Sequence, residues 1–439
     1  MTNTQREVLE LIKENGVKFV RLGFCDLLGV QKNISFMADQ LQDAFEYGIS
    51  LDASAIKGFG NVKKSDLLLF PDPATLTVLP WRPGPGRVVR FLCDIRRPGG
   101  SLFTGDGRYC LKQVIQRCEQ MGYVCKIGAE CEFYLFKTDE DGEPTGRPLD
   151  YGGYFDIAPQ DKGEDIRREI SLCLDEMGIK PETSHHEQGP GQNEISFVFS
   201  DALSCADNLL TFKSVVKTIA SRNGLYASFL PKPLADSSGS GLHVNLSLSQ
   251  NGFNLFQNTE GEGAGIAESF IAGILEKTPE MTLFLNPLAN SYQRFGKFEA
   301  PLYVSWSHQN RSQLVRIPAA TGKKMRMELR SPDPSLNPYL AFALILAAGL
   351  DGVERNLSLP PALDADLYAA DPSVTENLPR LPGSLQEAIR MAGSSAFVKA
   401  VLGEEVSGRY LRLKTEEAEA WEAADDPGAF FYDHYFRII

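Results

Sequence analysis

Ile127-Gly-Ala-Glu-Cys-Glu-Phe-Tyr-Leu-Phe136 decides how this chain reads, because Glu130 and Glu132 interrupt an otherwise apolar run. In a strand, positions i and i+2 project from the same face. Both carboxylates therefore enter one space, beside residues that belong in a core. Two bare anions resist burial and ionisation there. A divalent cation, an arginine or a shared proton would hold them. An edge strand with one face in water is the plainer reading of this segment alone.

Four other segments share the pattern. His243, Asn245 and Ser247 alternate with Val244 and Leu246 in Leu242–Leu248, and Arg326, Glu328 and Arg330 alternate with Met327 and Leu329. His185-His-Glu187 leads through Gly189-Pro-Gly191 to Gln192-Asn-Glu194 and the alternating Ile195-Ser-Phe-Val-Phe199. Asn310-Arg-Ser312 leads to Leu314-Val-Arg316. Any one of these reads most simply as a strand with a solvated face. Together they concentrate Glu, His and Arg with almost no Lys, and Arg is preferred where planar anions are bound bidentately. A sheet whose polar face lines a wet cavity explains them best.

Glu130, Glu132, Glu187, Glu194 and Glu328 with His243 make an oxygen-dominated donor set. It suits hard Mg²⁺ or Mn²⁺, whereas zinc favours more His or Cys. Six ligands serve two ions with three protein ligands each, and arginines nearby suit a phosphoryl group in transfer. No G-x-x-x-x-G-K-[ST] loop is present, so a nucleotide is not held in the P-loop manner. Ser237-Ser-Gly-Ser-Gly241 lets backbone approach a ligand, although such a loop is more often a turn.

The remaining composition excludes several classes. The 439 residues are 43% apolar, with 44 Lys+Arg against 57 Asp+Glu and a net charge of -13. That length predicts two or three domains. No basic stripe with interleaved aromatics marks a nucleic-acid surface. The longest apolar stretch, Tyr339–Leu350, is too short to span a bilayer. The N-terminus lacks the apolar core of a signal peptide. Eight cysteines without a C-x-x-C pair fit reduced thiols in a cytoplasmic protein.

Thr4-x-x-Glu7 reads as a capping box opening a helix with Val8, Leu11 and Ile12 on one face, ended by Asn15-Gly16. Strands are expected at Lys18–Phe24, Gln31–Phe36, Leu67–Phe70 and Val88–Cys93. Pro83-Gly-Pro-Gly86 marks a loop and Arg97-Pro-Gly-Gly100 a boundary. Residues 1–97 thus form a small strand-rich domain, and 98–439 a larger α+β domain. Helical periodicity runs through Phe212, Val215, Val216, Ile219 and Ala220 to Asn223-Gly224, and a buried helix opens at Pro338.

Taken in order, these motifs resemble type I glutamine synthetases, in the shorter branch without the adenylylated branch's insertion. The match runs from Leu51-Asp-Ala-Ser-Ala-Ile and Ser65-Asp-Leu-Leu-Leu-Phe-Pro-Asp-Pro through Gly128-Ala-Glu-Cys-Glu-Phe and Gly152-Gly-Tyr-Phe. It continues in His185-His-Glu, Gly191-Gln-Asn-Glu, Pro231-Lys-Pro, Gly239-Ser-Gly-Leu-His, Asn290-Ser-Tyr, Asn310-Arg-Ser and Glu328-Leu-Arg-Ser-Pro-Asp-Pro.

The resemblance implies a β-grasp first domain and a catalytic domain whose curved antiparallel sheet lines a funnel. It implies ATP-dependent condensation of glutamate with ammonia, in a dodecamer of two hexameric rings with shared active sites. Matched by motif, Glu132, Glu187 and Glu194 hold the tighter metal. Glu130, His243 and Glu328 hold the metal that meets the nucleotide. Ser247, Arg311, Arg316, Lys323 and Arg326 match the ATP site. Arg294 and Arg330, with Gly239, His243 and Glu132, match the glutamate site. Asp52, from an adjacent subunit, matches the acceptor of a proton from ammonium, and Glu299 the flap residue that shields the intermediate.

The chain departs from the family pattern in places. Asp-Gly-Ser-Ser reads Asp52-Ala-Ser-Ala55, Ser238 replaces an Asn, and Asn245 stands where many members carry His. The flap Arg294-Phe-Gly-Lys-Phe-Glu299 is one residue short. These bear on amine choice and make a γ-glutamyl ligase for another amine the alternative. A silent paralogue acting as a scaffold would have lost metal ligands, and none is lost. Tyr368 occupies the position that is adenylylated in the longer branch, but reads as a surface tyrosine. A regulatory protein partner is compatible with catalysis.

Overall fold

A computed structural model describes residues 1–60, 62–63, 65–81, 86–257 and 265–439. The predicted loop Pro83-Gly-Pro-Gly86 lies outside the described residues except for Gly86.

The first helix spans Asn3–Glu14 and starts two residues earlier than the Thr4–Glu7 pattern suggests. Thr2 and Gln5 fit the same capping rule, and they form the reciprocal pair: Gln5 N donates to Thr2 Oγ1 at 3.2 Å and Thr2 N to Gln5 Oε1 at 2.8 Å. Val8 and Ile12 are buried, but Leu11 turns outward. Gly16, at φ 61°, closes the helix.

Next comes a sheet ordered Gln31–Met37, Phe19–Cys25, Val88–Arg96, Asp66–Pro71, Ile49–Asp52. The Phe19–Cys25 and Val88–Arg96 strands run parallel, and their neighbours are antiparallel. Val20, Leu22, Leu69, Val89 and Phe91 pack beneath it with Phe45 of the helix Leu41–Tyr47. This is the β-grasp domain.

The larger sheet curls into a half-barrel. Its main path is Trp306–His308, Val315–Ile317, Met327–Leu329, Leu242–Gln250, Val124–Thr138, Gln192–Phe197, Pro181–His186. Pairing is antiparallel except for Trp306–His308 beside Val315–Ile317, which is parallel. The strand expected over Met325–Arg330 is only Met327–Leu329, and the alternating run to Phe199 ends at Phe197. Residues 310–314 form a loop before the strand Val315–Ile317.

Helices cover the apolar side of this sheet. Pro338–Glu354 is buried along almost its whole length, with Pro at its first turn and Asn337 Oδ1 accepting from Tyr339 N at 3.0 Å. It lies against Ile266–Leu285, where a Cβ on Gly273 would come within 2.2 Å of the Ala348 carbonyl. Only glycine permits that approach.

One guanidinium joins the first sheet to the helices of the larger domain. Arg108, 3% exposed, donates to Asp94 at 2.7 Å, to Asp72 at 2.9 Å and to Asp207 at 2.9 and 3.2 Å. Asp94 belongs to the first sheet and Asp207 to the helix Ala202–Arg222.

Beside it, Asp106 caps the helix Gly107–Gln120 by accepting from Arg108 N at 3.0 Å. Burial pushes its carboxyl up to about 7. A folded pKa above the unfolded one adds stability that is complete below the unfolded value and is lost as pH rises through the folded value. Asp106→Asn keeps the capping acceptor without the charge. Its unfolding free energy relative to wild type should therefore climb between about pH 4 and pH 7 and level off above, by at most about 4 kcal/mol, and its melting temperature should follow. Calorimetry across that range checks this; parallel curves for the two proteins would refute it.

Candidate active site

In the central strand Val124–Thr138, Ile127, Ala129, Cys131, Phe133 and Leu135 face the main core. Glu130 and Glu132 take the other face. Antiparallel register then assembles the site. Glu130 lies opposite His243, and Glu132 opposite Glu194, which in turn lies opposite His185. Asn245 lies opposite Glu328, and Glu328 opposite Arg316. Directly opposed residues share a face. Six strands thus bring one acidic and basic ladder to a single cavity of about 510 Å³.

Within it, His243 Nδ1 is 3.5 Å from Glu130 and 3.6 Å from Glu328, and Nε2 is 3.9 Å from Glu132. Asn245 donates to Glu130 at 2.9 Å and accepts from Arg326 at 2.8 Å. Arg316 and Arg330 both clasp Glu328. Gln192 and the Gly241 N–H donate to one oxygen of Glu132 at 2.8 and 2.9 Å. Arg294 is fixed on the Ser331 and Arg330 carbonyls at 2.7 and 3.1 Å.

The carboxylates differ sharply in environment. Burial raises Glu328, but Arg330 and His243 outweigh it and hold the carboxyl below its usual range. Burial also opposes ionisation of Glu130, yet the bonds from His243 and Asn245 hold it at about 2. Glu132 is pushed up to about 8 by burial and by the neighbouring Glu187 charge. Burial and then Arg330 lower the pKa of His243, which keeps its imidazole neutral and able to ligate.

Glu194 is the decisive residue. It is 8% exposed, and among the described residues no donor or cation reaches its carboxylate. Burial, then Glu130, Glu132, Glu187 and Glu328, drive its pKa well up. A buried acid in that position is unstable as an anion without a cation beside it. Donor atoms of Glu130, Glu194 and His243 lie within 4.8 Å of one another, as do those of His185, Glu187 and Glu194. The residues present therefore fit divalent cations. This grouping differs from the partition that the motifs imply, because Glu194 is shared, His185 enters, and Glu328 is engaged by arginines.

A further trio, Asp150, Asp161 and His186, is already satisfied. Arg167 spans Asp161 at 2.6 and 3.1 Å, and Asp150 accepts from the Gly191 and Lys162 N–H groups at 2.9 and 2.8 Å. Both nitrogens of His186 face acceptors, Asp150 at 2.9 Å and the Glu187 carbonyl at 2.7 Å. The knot fixes the turn that carries Glu187.

Of the other expected residues, Gly239, Arg294, Glu299, Arg311, Arg316, Arg326 and Arg330 line the same cavity. Ser247 and Lys323 line a smaller adjoining one that shares Glu130 and Arg326 with it. Asp52 stands apart, exposed at the end of the edge strand Ile49–Asp52, its carboxylate bonded to Ser54 N and Oγ at 2.9 and 2.7 Å.

With this geometry established, the sequence family can be assigned. Residues 104–430 match the profile described as "Glutamine synthetase, catalytic domain" and residues 16–98 that of "Glutamine synthetase, beta-Grasp domain". The chain belongs to the glutamine synthetase family. "Glutamine synthetase" of Methanosarcina mazei is 46% identical over 429 residues, covering 97% of this chain and 96% of that one. "Glutamine synthetase" of Clostridium saccharobutylicum is 45% identical over 419 residues, covering 94% and 95%. A structure described as "Apo GmaS without ligand" superposes with a TM-score of 0.87 at 32% identity, covering 97% of this chain and 99% of that one. The Plasmodium falciparum glutamine synthetase shares the fold, with a TM-score of 0.85 at 24% identity and 99% coverage of each. Glutamine synthetases use ATP and divalent metals. No described helix is long and apolar enough to cross a membrane. Tyr368 is 42% exposed.

Sequence reasoning passed over Gln192 and His185. Both signals were present: Gln192 is two residues from Glu194 on the same strand, and His185 two from Glu187. Tyr154 and Phe298, also in the lining, carry no comparable signal.

Glu194→Gln tests the electrostatic reading. In chelator-treated protein the neutral isostere should be the more stable, by roughly 1–3 kcal/mol, with the advantage growing as pH rises. Added Mn²⁺ should then raise the wild-type melting temperature much more than the variant's. Equal metal-induced shifts would sink it.

Proposed function

We propose that this protein condenses L-glutamate with ammonia at the expense of ATP, releasing L-glutamine, ADP and phosphate. The observation that carries the reading is the unpaired, buried Glu194 in a cavity that five arginines also line. One end needs cations and the other is built for anions.

Glu132, Glu187 and Glu194 would hold one divalent ion, Mg²⁺ or Mn²⁺, and Glu130, His243 and Glu328 a second. Such ions neutralise phosphate charge during in-line transfer. Arg311, Arg316 and Arg326, with Ser247 and Lys323, bind the ATP phosphates and nucleotide. Arg294 and Arg330 hold the carboxylates of glutamate, and the Gly239 backbone and Glu132 receive its amino end.

A carboxylate is a poor electrophile. Its γ-oxygen therefore first attacks the terminal phosphorus of ATP, ADP departs, and γ-glutamyl phosphate forms. Ammonium has no lone pair, so Asp52 of a neighbouring copy takes a proton before nitrogen attacks the acyl carbon. Phosphate leaves with the C–O electrons, and Glu299 accepts the further proton while covering the intermediate from water. Because Asp52 is exposed and remote from its own chain's cavity, the reading requires an assembly. We assign two hexameric rings, domains at 1–97 and 98–439, and a cytoplasmic location.

A second reading is a γ-glutamyl ligase for another amine. It is favoured by Ala55, which leaves no second hydroxyl beside Asp52, and by Ser238, whose hydroxyl is engaged by Gln192.

Purified protein given glutamate, ATP, Mg²⁺ and ammonium should form glutamine and ADP one for one, read by mass spectrometry. Asp52→Ala should lower kcat by roughly 10²–10⁴ while nucleotide binding persists. Turnover with methylamine or ethylamine but not with ammonium would transfer the assignment to the second reading. No ADP with any amine would reject both.

A further inference from the structure

A second cavity, of about 390 Å³, opens at the seam between the β-grasp domain and the catalytic domain. Its walls come from the turn that carries Asp26 to Lys32, from the helix Ala202–Arg222 and from residues 434–439. Leu210, Phe229 and Leu288 supply an apolar side. None of its residues lines the catalytic cavity.

Lys213 and Lys217 line this space one helical turn apart. Like charges at i and i+4 repel. Among the described residues neither ammonium has a carboxylate partner. Lys213 Nζ sits 5.7 Å from the centre of the Phe229 ring, and Lys217 donates to the Ile438 carbonyl at 3.1 Å. The side-chain acids on the wall are engaged elsewhere, and the main-chain oxygen of the last residue, Ile439, also on the wall, accepts from Phe229 N–H at 3.1 Å. Asp26 accepts from Leu28 and Val30 N–H at 3.0 and 2.9 Å and pairs with Lys32 at 3.8 Å. Glu417 pairs with Lys414 and accepts from Tyr435, each at 2.7 Å. Lys57 adds a third cation to the wall, its charge felt by Asp26. Burial, then the Lys213 charge, push the Lys217 ammonium down to about 8.

Two partly desolvated cations held side by side destabilise the fold unless an anion joins them. We propose that the seam cavity binds a small dicarboxylate, its two charges taken by Lys213 and Lys217 and its hydrocarbon body by Leu210 and Phe229. Because the walls belong to both domains, occupancy ties the β-grasp sheet to the catalytic domain. The site needs no residue of the catalytic cavity, so it stands or falls separately from the proposed reaction.

Lys217 itself reports occupancy. In the full-length protein its acetylation by acetic anhydride is followed by peptide mass spectrometry at a pH near 8, with succinate as the probe. Succinate at about ten times its dissociation constant should slow Lys217 acetylation roughly tenfold. Lys213→Arg should keep that protection, and Lys213→Met should lose it while ADP binding to the catalytic cavity is retained. An unchanged Lys217 rate in millimolar succinate overturns the proposal. So does undiminished protection in Lys213→Met, and protection by inorganic phosphate but not succinate overturns the dicarboxylate assignment.

Discussion

The register of one strand governs this molecule. Val124–Thr138 lies between Leu242–Gln250 and Gln192–Phe197, so that Glu130 meets His243 and Glu132 meets Glu194. A slip of one residue would turn both glutamates into the core and bring Cys131 into the cavity. The apolar residues on the opposite face prevent it. Ile127, Ala129, Cys131, Phe133 and Leu135 have little or no exposure, and burying such side chains contributes about 1.5–3 kcal/mol for each large one. The functional face is thus positioned by residues with no part in the chemistry.

An acidic sheet face is a liability that the rest of the fold must offset. The buried Pro338–Glu354 helix and its close contact with Ile266–Leu285 supply apolar packing behind the sheet. Arg108 adds a directional constraint, because its donors reach Asp72 and Asp94 of the first domain and Asp207 of a helix in the second. Breaking a buried ion pair typically destabilises by 3–5 kcal/mol, since the partner charges remain buried. The link is therefore orientational: it holds the first sheet, and the edge carrying Asp52, in a fixed attitude to the catalytic domain.

Much of this was legible in the sequence, for identifiable reasons. Period-two alternation exposed Glu130, Glu132, His243 and Glu328, and the uninterrupted apolar run Tyr339–Leu350 exposed the buried helix. Boundaries were less accurate. Thr2 and Thr4 both begin acceptable capping patterns, and only tertiary placement of Val8 and Ile12 selects the first. The Arg108 clamp was invisible because Asp72, Asp94 and Asp207 are far apart in sequence and none stands in a periodic pattern. The sharing of Glu194 was likewise hidden. Alternation identifies a face, but only cross-strand pairing identifies which residues on that face meet.

Backbone strain at the mouth of the cavity fits this picture. Phe298 and Glu299 are consecutive non-glycine residues with φ of 46° and 63°. Each such conformation costs of order 1–3 kcal/mol and persists only where surroundings enforce it. Here the enforcement comes from groups that also face the cavity or its rim. The Lys232 ammonium lies 4.6 Å over the Phe298 ring, Arg330 donates to the Glu299 carbonyl at 3.4 Å, and Gln188 reaches the Glu299 carboxylate at 3.5 Å. Arg330 is simultaneously bound to the fully buried Glu328. One guanidinium therefore couples the backbone at Phe298 and Glu299 to the charge state of the ladder beside it. An anion that drew Arg330 away from Glu328 would loosen its hold on both, so anion binding at this arginine and the conformation of that segment cannot be independent.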